Sequence, residues 1–99
     1  MVASEIVLIG GGDWTEVYIN GKDYIGGHSL SDYDWALVIR EAQPIESINQ
    51  REFVVDKAGE SWGEKNEFPQ ELKDIPEAEL TANHYLMEPQ GLTLPAEVG

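Results

Sequence analysis

An α+β domain, a small antiparallel sheet with one main helix packed across a face, is predicted by three observations. An Asn20-Gly21 dipeptide lies between two β-prone runs, a capped amphipathic segment follows within ten residues, and a continuous apolar run precedes both. The sheet is expected from residues 5–9, 14–20, 22–26 and 52–56, and the helix from 31–42. Ninety-nine residues suit a single domain, placed at 1–87, with a Pro/Gly-interrupted tail expected to be mobile over 88–99.

Glu5-Ile-Val-Leu-Ile9 has the unbroken apolar character of a strand covered on both faces. Gly10-Gly11-Gly12-Asp13 then reads as a turn into Trp14. It resembles a phosphate loop only superficially, because no helix opens behind it and no Lys-Ser/Thr follows.

Asn20-Gly21 tolerates positive φ at both central positions of a type I′ turn, so Trp14–Ile19 and Lys22–Ile25 form a hairpin. A two-residue loop sets Ile19 opposite Lys22, Tyr18 opposite Asp23, Val17 opposite Tyr24 and Glu16 opposite Ile25. Val17, Ile19 and Tyr24 are thereby expected on the core face, and Trp14, Glu16, Tyr18, Asp23 and Ile25 on the other.

Ser31 with Asp34 three residues later is an acidic variant of the capping box and also suits the positive end of a helix dipole. At about 100° per residue, Trp35, Val38, Ile39 and Ala42 share one arc, with Tyr33 and Leu37 on the far side. Pro44 ends the helix by disfavouring the helical region in the residue before it.

Residues 45–50 are weakly patterned and are expected as a connection or one turn of helix. Glu52-Phe-Val-Val-Asp56 is the β-branched candidate for a fourth strand. Residues 58–63 read as a loop around Trp62, and 69–75 as a short helix opened by Pro69 that buries Phe68, Leu72 and Ile75. One more short strand is expected between Leu80 and Tyr85.

Charge is the dominant global property: 19 acids against 6 bases give −13. Such a chain is repelled by nucleic acid and by anionic membranes and attracted to basic surfaces. Solubility or a salt-adapted host accounts for acidity in general. Density argues for more, since Glu60, Glu64, Glu67, Glu71, Asp74, Glu77 and Glu79 fall within twenty residues beside only Lys65 and Lys73. On a helix the three- and four-residue spacing from Glu60 to Glu77 would place charges ~5–6 Å apart, close to the scale of backbone phosphates. Gly63, Pro69 and Pro76 forbid one continuous helix there. A solvated acidic face is the competing reading.

No cofactor or metal is expected. His28 and His84 are too far apart in sequence to define a metal site, no spacing selects a pair of carboxylates for hydrolysis, and Ser29 and Ser31 are better explained by capping than as nucleophiles. The absence of cysteine excludes a disulfide framework. The first residues lack the pattern of a signal peptide and no run approaches the ~20 apolar residues of a membrane span, so a cytoplasmic location is expected.

The arrangement Trp14-x-x-x-Tyr18-x-Asn20-Gly-Lys22, followed by Gly27-His-Ser-Leu30 and a helix, resembles a loose pattern in small uncharacterised proteins of phages and mobile elements. In overall character the chain is similar to acidic phage-encoded inhibitors of the anti-CRISPR and anti-restriction kind. That resemblance implies a non-enzymatic inhibitor of a nucleic-acid-handling defence complex, with the basic surface of a CRISPR or restriction nuclease as partner, possible nucleic-acid mimicry, and no direct contact with nucleic acid or membrane. The seven acids from Glu60 to Glu79 would then meet the partner. The alternative is a mobile-element accessory protein that docks through Trp14, Tyr18, Tyr33 and Leu37.

Overall fold

The computed structural model describes residues 3–89; most of the expected tail lies outside them. Its centre is a five-stranded mixed sheet with one main helix. The strands are β1 (Ser4–Gly11), β2 (Trp14–Ile19), β3 (Lys22–Gly27), β4 (Ile45–Glu52) and β5 (His84–Met87), and the helix α1 is Asp32–Ala42. Spatial order is β3-β2-β1-β4-β5, with β1 and β4 parallel and the other neighbours antiparallel. The expectation of a purely antiparallel sheet is corrected at this pair. The chain crosses one face of the sheet as α1 and re-enters at the end where β1 begins, so the Ser4 amide bonds the Pro44 carbonyl at 2.8 Å.

The hairpin turn forms as its residues demand, with φ of 52° at Asn20 and 80° at Gly21. Ile19 faces Lys22 and Tyr18 faces Asp23, but a bulge then shifts the register, so that Val17 faces Ile25 and Glu16 faces Gly26. A one-residue slip exchanges the faces of everything beyond it. Ile25 therefore packs on the helix-side core, and Tyr24, expected there, is left exposed.

The α1 cap is the expected one: Ser31 Oγ accepts from the Asp34 amide at 3.1 Å and Asp34 Oδ2 accepts from the Ser31 amide at 2.9 Å. Val38 and Ala42 are buried against Ile6, Leu8, Val17 and Ile19, with Trp35 packed beside them. The contact line follows Trp35, Val38 and Ala42 and leaves Ile39 at its margin, 52 % exposed.

The opposite face carries a second core of Ile9, Tyr18, Phe53, Ile75 and Leu80, flanked by Val7, Trp62, Phe68 and Leu72. Its cover is residues 53–83, which contain only one α-turn, α2 (Trp62–Lys65), and 3₁₀ turns at Leu72–Asp74 and Glu77–Glu79. The helix expected over 69–75 is reduced to one of those turns, although Ile75 is buried as expected. The strand expected at 52–56 lies earlier, at Ile45–Glu52, while Phe53 and Val55 make only isolated bridges to Leu80 and Ser61.

Candidate functional site

The segment 53–83 carries the acidic series, and the structure shows how it is used. Glu60 pairs with Lys65 at 3.0 Å, and Glu64 accepts the Ser61 amide at the start of α2 at 3.3 Å. Glu71 pairs with Lys22 and, at 3.7 Å, with Lys73; the Lys22 hydrogen bond holds its carboxyl below the usual range. Glu77 grips Arg51 with both oxygens, at 2.5 and 2.9 Å, and Arg51 also donates to the Thr81 carbonyl. Four of the seven acids thus fasten the irregular layer to itself or to the sheet. Glu67, Asp74 and Glu79 have no side-chain partner among the described residues. The series lies on no single continuous helix, as expected from Gly63, Pro69 and Pro76.

The alternative aromatic surface is not assembled. Tyr18 is fully buried and donates its hydroxyl to the Pro69 carbonyl at 2.7 Å, so it is a fastener between sheet and cover. Tyr33 is 63 % exposed on α1, and Leu37 is half-buried there. Trp14 stands in the first position of β2, at the sheet end near Gly11.

Beside Tyr18 lies an acidic pair, buried at Glu16 and half-buried at Asp23. Glu16, 7 % exposed, accepts the Trp14 indole Nε1 at 2.8 Å. Burial, then a hydrogen bond with Asp23, pushes its carboxyl up to about 7. Asp23 Oδ1 is buried with no hydrogen-bond donor among the described residues, a need that a proton on the neighbouring Glu16 carboxyl would meet. Burial likewise raises the Tyr18 hydroxyl, with the charges of Asp23 and Glu16 adding to it. Gly26 makes room for this group, since a Cβ there would stand 1.7 Å from Glu16 Oε1.

A concavity opens where β1 and β4 end. It has a volume of about 490 Å³ and lies between the Gly10–Trp14 turn and the chain from Glu52 to Glu64. A second hollow of about 280 Å³ shares Trp14 and Phe53 and extends to Phe68. Trp14 forms one wall, held by its bond to Glu16 and by an edge contact with His28 at 4.7 Å between ring centroids. His28 Nδ1 is 3.3 Å from Asp13 Oδ2, so the imidazole bridges the turn and its wall. Phe53 forms the floor, packed against Gly63 so closely that a Cβ there would come within 2.4 Å of its ring. Gly10–Asp13, expected as a turn, also lines this cleft; its signal in the sequence is a glycine run at a strand's carboxyl end followed by Asp13 and Trp14.

Among the described residues no group of three or more His, Cys, Asp or Glu could hold a metal ion, and no helix is long and apolar enough to cross a membrane. Compared with protein-family models, curated proteins and solved structures, the chain matches none.

Proposed function

We propose that this chain is a non-enzymatic acidic binding protein that occupies the basic, phosphate-holding surface of a nucleic-acid-handling protein. It would act in the cytoplasm as an inhibitor of a defence nuclease, of the anti-CRISPR or anti-restriction type. The observation that supports this reading is the disposition of charge. Lys22, Arg51, Lys65 and Lys73, four of the 6 bases, are each engaged by carboxylates within the fold, while Glu67 and Asp74 stand exposed without a partner among the described residues. Carboxylates so presented would compete with phosphate for Lys and Arg.

The test uses the acids that hold nothing else. Glu67→Gln, Asp74→Asn and Glu79→Gln together should leave the fold intact, lower affinity for a susceptible nuclease at least about tenfold, and flatten the salt dependence of binding. The control triple, Glu5→Gln, Glu41→Gln and Glu46→Gln, removes equal charge elsewhere and should cost less. Equal losses from both triples would reduce the segment's role to long-range steering. Failure of the native chain to inhibit purified CRISPR and restriction nucleases would overturn the reading.

A further inference from the structure

We infer that the cleft between the Gly10–Trp14 turn and the Glu52–Glu64 chain is a recognition site for a guanidinium group, supplied as an arginine side chain of a protein partner. It rests on the reading above only in taking a basic protein as the partner class. The first support is topological. β1 and β4 are adjacent and parallel, and at their carboxyl ends the chain takes different paths: β1 turns back into the neighbouring β2, whereas β4 leads into the irregular 53–83 cover. Divergence of this kind leaves a crevice at the strand ends, the place where open sheets with parallel strands hold ligands.

The second support is shape. At about 490 Å³ the cleft falls in the range of small-ligand sites, yet its glycine-lined side offers bare backbone, leaving room for an extended side chain.

Chemistry then selects the occupant. Trp14 supplies an aromatic wall, while Asp13, Glu52 and Glu64 line the same space with no Lys, Arg or His among the lining residues. Glu52 lies over Gly10, where a Cβ would be 3.7 Å from its Cγ, and its carboxylate has no hydrogen bond or ion pair among the described residues. An anionic occupant would meet only repulsion here, and an apolar one would strip water from Glu52 without replacing it. A guanidinium satisfies both demands: its plane stacks on an indole, its paired N–H groups match a carboxylate, and it loses hydration more readily than an ammonium. The Glu16 and His28 contacts hold Trp14 in place before any ligand arrives, which reduces the ordering cost of binding.

The probe is acetyl-Gly-Arg-Gly-amide titrated into the ¹⁵N-labelled full chain, followed by backbone and indole N–H shifts. Saturable shifts should be confined to Gly10–Trp14, Glu52–Phe53 and the Trp14 indole, with a dissociation constant in the millimolar range. The lysine peptide should bind about threefold more weakly, and the neutral citrulline peptide at least about tenfold. Glu52→Gln should weaken the arginine peptide about three- to tenfold, whereas Glu67→Gln should not. Shifts spread over the whole acidic surface, equal binding of citrulline, or no saturable shift would each overturn the assignment. Those results leave the salt-dependent nuclease binding of the acidic triple unaffected, so the cleft and the broader reading fail separately.

Discussion

The two faces of the sheet are covered by opposite means. One face takes α1, whose Val38 and Ala42 pack on Ile6, Leu8, Val17 and Ile19. The other takes residues 53–83, whose apolar side chains form the second core but whose backbone has almost no regular structure. A helix satisfies its own amides and needs only an apolar stripe; an irregular cover must find partners for its backbone elsewhere. Here those partners are specific and distant in sequence: the Asp23 amide bonds Gln70, the Leu72 amide bonds Gly21, Val54 bonds Glu79, and the Tyr18 hydroxyl bonds Pro69. The acids of this layer are therefore partly structural, a role that composition alone could not separate from binding.

The largest effect should come from removing the floor of the irregular layer. Phe53 is 5 % exposed and touches the Trp62 and Phe68 rings, at 6.0 and 5.7 Å between centroids. Phe53→Ala should cost ~3–5 kcal/mol in denaturant unfolding and should speed amide exchange in 53–83 before α1. Simultaneous loss of protection on both faces would show that the two covers unfold as one unit.

The next effect depends on pH. The Glu16 carboxyl titrates near 7 when folded, against an ordinary value of 4.5. A raised folded value stabilises the fold fully below the unfolded value, and that contribution is lost as pH rises through about 7. Glu16→Gln keeps an oxygen for the Trp14 indole and an N–H₂ for Asp23. It should therefore gain ~1–2 kcal/mol over the native chain at pH 8, with the difference vanishing near pH 4. Thermal melts at both pH values check it; a constant difference would mean that Glu16 does not carry the proton.

Legibility in the sequence divides along the same line. The hairpin turn and α1 could be read because Asn20-Gly21, the Ser31 cap and Pro44 act locally. β4 could not, because this inner strand buries Ser47 and Asn49 where the usual signal is apolar. Asn49 compensates by bonding the Asn83 side chain and the His84 amide, 34 and 35 residues away. The β-branched Val54 and Val55 pointed to a strand in the next stretch, yet both are exposed. Tyr18 is expected among the docking residues and is instead fully buried, because hairpin alternation identifies two faces but not what covers the second. The cleft was illegible for a related reason: its walls come from β2 and from a segment whose path no local rule sets.

The smallest effect compares the two N-terminal caps, one in each cover. At α1, Ser31 and Asp34 exchange bonds in both directions, so Ser31→Ala removes the acceptor of the Asp34 amide. The loss should be ~1 kcal/mol, visible as a lower midpoint with an unchanged denaturant slope. At α2, Glu64 reaches back to the Ser61 amide at 3.3 Å, and Gln at that position would retain an oxygen for the same bond. Glu64→Gln should accordingly change stability by less than ~0.5 kcal/mol, only the charge near a one-turn helix being lost. A larger loss at Glu64 than at Ser31 would mean that the irregular layer depends on its charges more than on its aromatic floor. In that case Phe53→Ala should also fall short of its expected cost, so the same pair of covers is tested from the weakest contact as well as from the strongest.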